Sequence, residues 1–151
     1  MKKLITFTIF LLISLSFCHS QSSSYDEALA RKLGADDYGM KKYIVAFLYH
    51  GDRAGEYSKE EAAKIQQGHL ANISLLAQEG KMVLAGPFFG NEELRGLFFF
   101  DVESLEEAEN LTAKDPAVQA GVLKMELKEW YGSATLGMLL EFQEKVAKKG
   151  F

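Results

Sequence analysis

The order of strand-like and helix-like segments constrains the fold of this chain more than any other feature of its sequence. Four short segments either are rich in β-branched and aromatic residues or alternate apolar with polar residues, as strands do. They are Tyr43–Tyr49, Met82–Ala85, Leu94–Asp101 and Leu123–Tyr131. Helices are predicted from Ser58 to about Glu79 and from Ser104 to about Ala113, because each serine is followed by a glutamate that completes a capping box.

The resulting order is strand, helix, strand, strand, helix, strand, which is the split βαβ or ferredoxin-like arrangement. It predicts an α+β fold in which an antiparallel four-stranded sheet carries both helices on one face. Two further helical segments are predicted outside this unit, a short one over Asp26–Leu33 and an amphipathic one over Ala134–Lys148.

The second face of the predicted sheet is also apolar. In the first strand Tyr43, Val45 and Phe47 alternate with residues that are equally apolar. Two helices cover only one face, and soluble monomers rarely expose a large apolar patch. We therefore expect a homodimer that packs sheet against sheet, unless the C-terminal helix covers part of this face instead.

The first 20 residues have the pattern of a secretory signal peptide. A basic start precedes the apolar run Leu4–Phe17, and small residues follow up to Ser20. We therefore expect the protein to be exported, most simply to the periplasm. Cys18 is the only cysteine, and an alternative is that it is the lipidated residue of a lipoprotein signal, which would anchor the chain to a membrane.

The charge balance argues against nucleic acid as a partner. Without Lys2 and Lys3 of the predicted signal, 15 basic residues stand against 21 acidic ones, a net charge of −6. The string Arg95–Phe100 is similar to the aromatic strand of RNA-recognition motifs, but Leu97 stands where a stacking ring is expected. RNA binding is therefore not expected.

His69 is the main candidate for chemistry. Ile65, His69, Ile73 and Leu76 recur at helical spacing, so the imidazole should point inward from the first long helix. Asp115 is the candidate partner, because the two helices of this fold lie side by side. A carboxylate that orients an imidazole produces a group able to move a proton onto or off a bound molecule. The alternatives are a satisfied core histidine and an aspartate that only caps the helical turn starting at Pro116.

Other kinds of site have little support in the sequence. Only His50 and His69 lie outside the predicted signal, and neither has a partner at metal-ligand spacing, so a metal is not expected. The sequence has no glycine-rich loop that would hold a phosphate, and no cofactor is expected. Gly86, Pro87 and Phe88 follow the second strand and are predicted to line a substrate pocket.

These residues together resemble the YciI-like, or YCII-related, family. The resemblance covers about Lys42–Tyr131 and consists of the helix histidine, the string Glu79-Gly80-Lys81, the string Ala85-Gly86-Pro87 and Asp115-Pro116, in that order. It divides the chain into a signal peptide (1–20), an N-terminal extension (21–41), the family domain (42–131) and a C-terminal helical extension (132–151).

The resemblance implies a ferredoxin-like dimeric α/β barrel whose active site uses His69 and Asp115 as its catalytic pair. Some relatives are associated with dehydrochlorination of aromatic ring compounds, and the wider superfamily includes isomerases and cofactor-free monooxygenases. The expected function is that of a small-molecule enzyme for proton transfer, elimination or isomerisation. The alternative is a non-catalytic periplasmic module that binds a small ligand or dimerises.

Overall fold

A computed structural model describes residues 24–90 and 92–149 of the 151-residue chain. The predicted signal peptide and Cys18 lie outside the described residues. The elements, in chain order, are α1 (Glu27–Leu33), β1 (Met40–His50), α2 (Lys59–Gln78), β2 (Met82–Pro87), β3 (Leu94–Phe100), α3 (Leu105–Thr112), α4 (Pro116–Gln119), β4 (Leu123–Ser133), a 3-10 turn (Ala134–Met138) and α5 (Leu139–Val146). None of the helices in the described ranges is both long enough and apolar enough to cross a membrane.

The four strands form one antiparallel sheet in the order β2-β3-β1-β4. This is the order that the ferredoxin-like arrangement requires, so the α+β prediction is confirmed. The central strand, β1, begins at Met40, three residues before the predicted start, because Lys41 and Lys42 pair with Gly132 and Tyr131 of an equally extended β4.

The main core lies between α2, α3 and one face of the sheet. Serine N-caps set where both helices begin: the Ser58 hydroxyl accepts from the Glu61 N–H at 3.3 Å, and the Ser104 hydroxyl accepts from the Glu107 N–H at 3.1 Å. The predicted capping box is complete at Ser58, whose N–H donates to the Glu61 carboxylate at 2.9 Å, whereas the Glu107 carboxylate accepts from the Glu103 N–H at 3.4 Å instead of from Ser104. The core is built from alternate strand residues and the inward faces of the helices. It includes Ile44, Ala46, Leu48, Leu76, Met82, Phe98, Phe100, Ala108 and Leu111.

The segment after β4 covers one end of the second sheet face. Tyr43 is fully buried there, and its hydroxyl donates to the carbonyl oxygens of Ser133 and Ala134 at 3.2 and 3.1 Å. Burial, together with the negative charge of Asp101, raises the pKa of Tyr43 to about 12. Phe47 and Leu97, further along this face, are only half-buried. The chain itself thus covers part of the surface that the sequence assigned to a second copy.

The C-terminal helix differs from its prediction over Ala134–Lys148. The chain first forms a 3-10 turn, and the α-helix begins at Leu139 and ends at Val146. Ala134 is buried and donates its N–H to the Gly39 carbonyl at 3.0 Å, which ties the start of the segment to the sheet before a helix can form. Val146 is 76% exposed, so its helical spacing does not reflect burial.

Removing the Tyr43 hydroxyl tests how this C-terminal segment is held. We expect Tyr43→Phe to lower the free energy of unfolding by about 1 kcal/mol, since a buried donor shared by two carbonyl groups is lost. The matched control is Tyr49→Phe, whose hydroxyl contacts exposed Glu126 at 3.4 Å and whose loss should change stability by less than about 0.5 kcal/mol. Urea denaturation measures both, and equal effects of the two substitutions would contradict this account.

Candidate functional site

The site is built where α2 passes α4 above the sheet. His69 lies in the middle of α2 and is 7% exposed, which confirms that its ring points inward. The ring stacks on Phe98 of β3, with centroids 5.7 Å apart and planes 25° from parallel. Gly68 precedes it, and a Cβ at this position would lie 3.0 Å from the Pro116 side chain. The absence of a side chain at Gly68 therefore permits the close approach that brings α2 next to the start of α4.

Asp115 caps α4 and contacts His69 with the same carboxylate. Its Oδ1 accepts from the Ala117 N–H at 2.8 Å, as an N-cap does. His69 Nδ1 lies 3.0 Å from Oδ1 and 2.9 Å from Oδ2. Asn72, one turn along α2, donates from its amide to Oδ2 at 3.0 Å. The aspartate is 1% exposed, so three donors surround a carboxylate that water does not reach.

The surroundings of Asp115 favour its charged form. Burial by itself raises the pKa of this carboxyl, but the hydrogen bond and charge of His69, the Ala117 N–H and the Asn72 amide outweigh burial and hold the pKa below its usual range. An ionised carboxylate only accepts hydrogen bonds, so His69 Nδ1 must donate. The neutral imidazole then carries its lone pair on Nε2.

The opposite edge of the His69 ring is open. Nε2 has no hydrogen-bond partner within the described part of the chain, yet the same residues leave no buried side-chain nitrogen or oxygen without a partner. Nε2 must therefore be accessible from outside. His69 lines a cavity of about 280 Å³ between α2 and the sheet, and Asp115 does not. The histidine thus separates a buried carboxylate from an accessible cavity.

Most of the cavity wall is apolar. Its apolar side chains are Leu48, Leu70, Ile73, Ala85, Phe98 and Leu123. Gly86 and Pro87 also line it, and Gln66 and Arg95 are the polar groups that join His69. Phe88 is not among the lining residues: it is 46% exposed, and its N–H pairs with the Arg95 carbonyl at 2.8 Å. Its predicted role in binding a substrate stays a prediction.

Three contributors to the site were not singled out from the sequence. Asn72 and Gln66 lie three residues to either side of His69, and helical periodicity would have placed both near it. In the sequence, Arg95 stood out only as the first residue of the string that is similar to RNA-recognition motifs. Its position depends on strand register, which the sequence pattern does not show.

Two other observations limit the choice of site. Within residues 24–90 and 92–149, no three histidine, cysteine, aspartate or glutamate side chains are grouped to hold a metal ion. A larger, open cavity of about 840 Å³ lies beside α1 and is lined by Asp26, Asp36 and Tyr38, among others. Neither Asp115 nor a histidine is among the described residues that line it, so the smaller cavity is the candidate site.

The fold and this site define a ferredoxin-like domain with a helix histidine oriented by a buried aspartate beside a cavity. The model of the YCII-related domain matches residues 44–131, and the chain belongs to that family. One relative, the uncharacterised protein YjpA of Bacillus subtilis (strain 168), is 30% identical over 78 residues, which cover 52% of this chain and 85% of YjpA.

Among solved structures, a similar chain is the 5-chloro-2-hydroxyhydroquinone dehydrochlorinase TftG of Burkholderia phenoliruptrix AC1100, in complex with 2,5-dihydroxybenzoquinone. It is 23% identical, and the match covers 60% of this chain and 93% of TftG with a TM-score of 0.43.

The lowered pKa of Asp115 predicts a specific acid dependence of stability. We expect Asp115→Asn, which retains a good N-cap, to cost about 1–3 kcal/mol near pH 6, because charge-assisted hydrogen bonds are lost. A carboxyl whose folded-state pKa lies below 3.8 stabilises the fold above that pH, and this contribution disappears as the pH falls through the folded-state value. The gap between wild type and variant should therefore close below about pH 4.

Denaturant unfolding of both proteins between pH 6 and pH 2 measures this gap. Asp52→Asn, at an exposed loop position, is the matched control and should follow the wild type to within about 0.5 kcal/mol. Parallel curves for wild type and Asp115→Asn over the whole range would show that the buried carboxylate does not stabilise the fold through its charge.

Proposed function

We propose that this protein binds a small ring-shaped organic molecule in the cavity beside His69 and transfers a proton to or from it, in an isomerisation or an elimination. One observation carries the proposal: His69 Nδ1 lies 2.9 Å from a carboxylate that is 1% exposed, while the same ring lines an accessible cavity.

In this proposal the two groups have different roles. Nε2 of His69 faces the bound molecule and acts as the general base or acid. Asp115 does not touch the molecule. It is a positioning residue that fixes the tautomer and stabilises the imidazolium formed when Nε2 takes a proton. Asn72 holds the second carboxylate oxygen, which keeps Asp115 from rotating away from the ring.

The cavity supports a small, largely apolar ligand. Pockets for drug-sized molecules measure about 300–1,000 Å³, so a cavity of about 280 Å³ suits a single ring. Phe98 forms part of its floor and supports the imidazole from below. Leu70 and Ile73, on the same side of α2 as His69, contribute the apolar wall against which a ring would pack.

Several parts of the proposal rest on the sequence. Homodimer formation is one, and it is supported by Phe47 and Leu97, which remain half-buried on the second sheet face of a single chain. The other parts that rest on the sequence are export to the periplasm, a cofactor-free reaction and the catalytic use of His69.

The alternative function is non-catalytic binding of a small ligand in the same cavity. The hydrogen bond from the Ala117 N–H favours it, because an N-cap explains a buried aspartate without any chemistry. The two functions differ in whether bound molecules exchange protons with His69.

Deuterium exchange tests catalysis without a known physiological substrate. Cyclohexenone carries an acidic C–H on the saturated carbon next to its carbonyl group, and the butenolide 2(5H)-furanone carries one at C5, conjugated with its carbonyl through the ring double bond. A base removes this proton to leave an enolate or a dienolate, which takes up a deuteron from D₂O. We expect the protein to accelerate the exchange measured by NMR for such a compound. His69→Asn should slow it by about 100-fold or more, the contribution of a positioned acid–base group.

His50→Asn is the matched control, because His50 ends β1 and does not line the cavity. It should retain wild-type exchange. Exchange that survives in His69→Asn, or that is absent from wild type although the compounds bind, would favour the binding module over the enzyme.

A further inference from the structure

Of the residues that the structure describes, Arg95 is the one lysine or arginine that lines the cavity of His69. A break in strand register puts it there. Leu48 pairs with Gly96, and the next residue, Tyr49, pairs with Leu94, so Arg95 has no partner on β1. In a regular strand its side chain would alternate with the inward-facing Gly96 and point to the second sheet face. A bulge interrupts that alternation and redirects the side chain.

The charge of Arg95 is not matched by any carboxylate among the side chains that the structure describes. Arg31 and Arg53 each pair with a glutamate, at 3.5 and 2.8 Å, whereas none of the described carboxylates lies within 4.0 Å of Arg95. Among the described residues, its guanidinium makes one hydrogen bond, from Nη1 to the Gly90 carbonyl at 3.0 Å. A guanidinium has five N–H donors, so most of them have no partner in the described part of the chain.

We infer that Arg95 binds a carboxylate on the ring molecule, so that the ligand class of this cavity is small cyclic carboxylic acids. The inference rests on the proposed function and makes it more specific. A planar guanidinium fork matches a carboxylate with two parallel hydrogen bonds, and such pairs are among the strongest in proteins.

This arrangement divides the cavity between two tasks. The carboxylate is fixed at the half-buried Arg95 side chain, beside the hairpin that joins β2 to β3. The ring then extends along the apolar wall towards Phe98 and His69, which line the same cavity. The charge of Arg95 selects acids over neutral rings, and His69 is left to act on the ring itself.

Benzoate and benzamide test the inference, since they have nearly the same shape and differ in charge. Binding is followed by NMR titration, and the shift of the His69 ring signals shows that the ligand is in this cavity. Wild type should bind benzoate at least about tenfold more tightly than benzamide, as hydrogen bonds between charged groups allow. Arg95→Gln should abolish this preference while leaving the affinity for benzamide within about twofold.

Two further variants make the test specific. Arg31→Gln, on α1 and outside the cavity, removes the same charge and should keep the preference for benzoate. Arg95→Lys retains the charge without the fork and should keep only part of the preference. It also serves if Arg95→Gln does not fold.

The outcomes separate this inference from the proposed function. Equal binding of both compounds by wild type, with the His69 signals shifting, would overturn the role of Arg95 and leave a cavity that binds neutral rings. A preference for benzoate that persists in Arg95→Gln would also overturn it. Binding of neither compound would contradict the inference together with the ligand-binding part of the proposed function.

Discussion

The contact between Asp115 and His69 is the interaction on which both the fold around the cavity and the proposed chemistry depend. One buried carboxylate accepts from the Ala117 N–H, the Asn72 amide and His69 Nδ1. The same carboxylate therefore caps the N-terminus of α4, holds α2 beside it and fixes the orientation of the histidine ring. A partner buried this deeply is costly to leave unsatisfied, so each donor helps to keep the others in place.

The contact requires that α2 and α4 approach closely, and a glycine makes this possible. A glycine inside a helix costs roughly 1 kcal/mol relative to alanine. Gly68 nevertheless stands in the middle of α2, where a methyl group would press against Pro116 at 3.0 Å. At the position next to His69, packing against the Asp115-Pro116 turn therefore outweighs helix propensity and favours glycine. The contact between α2 and the start of α4 is therefore made by Gly68-His69 on one side and Asp115-Pro116 on the other.

Sequence reasoning predicted the parts of this structure that depend on local pattern. Capping boxes at Ser58 and Ser104, strand alternation and helical periodicity led to the α+β fold and to an inward-facing His69, and the family resemblance is confirmed. The missed features depend on contacts between distant segments. The bulge at Arg95 reflects the register between β1 and β3, and the turn after Ser133 reflects the hydrogen bond from Ala134 to Gly39. Helical periodicity places Asn72 near His69, but its contact with Asp115 depends on how α2 packs against α4.

The cavity has a histidine at one wall and an arginine at its edge, and a backbone feature places each of them. A helix glycine allows the first, and a strand bulge allows the second.

The tautomer of His69 is the most direct test of the central claim. Nitrogen-15 NMR of histidine-labelled protein, in alkaline buffer where imidazole rings are neutral, distinguishes a protonated ring nitrogen from a bare one. The account predicts a proton on Nδ1 and a bare Nε2, with the Nε2 signal responding to ligands that enter the cavity. A proton on Nε2, or a mixture of tautomers like that of a free imidazole, would show that Asp115 does not orient the ring and would contradict the account.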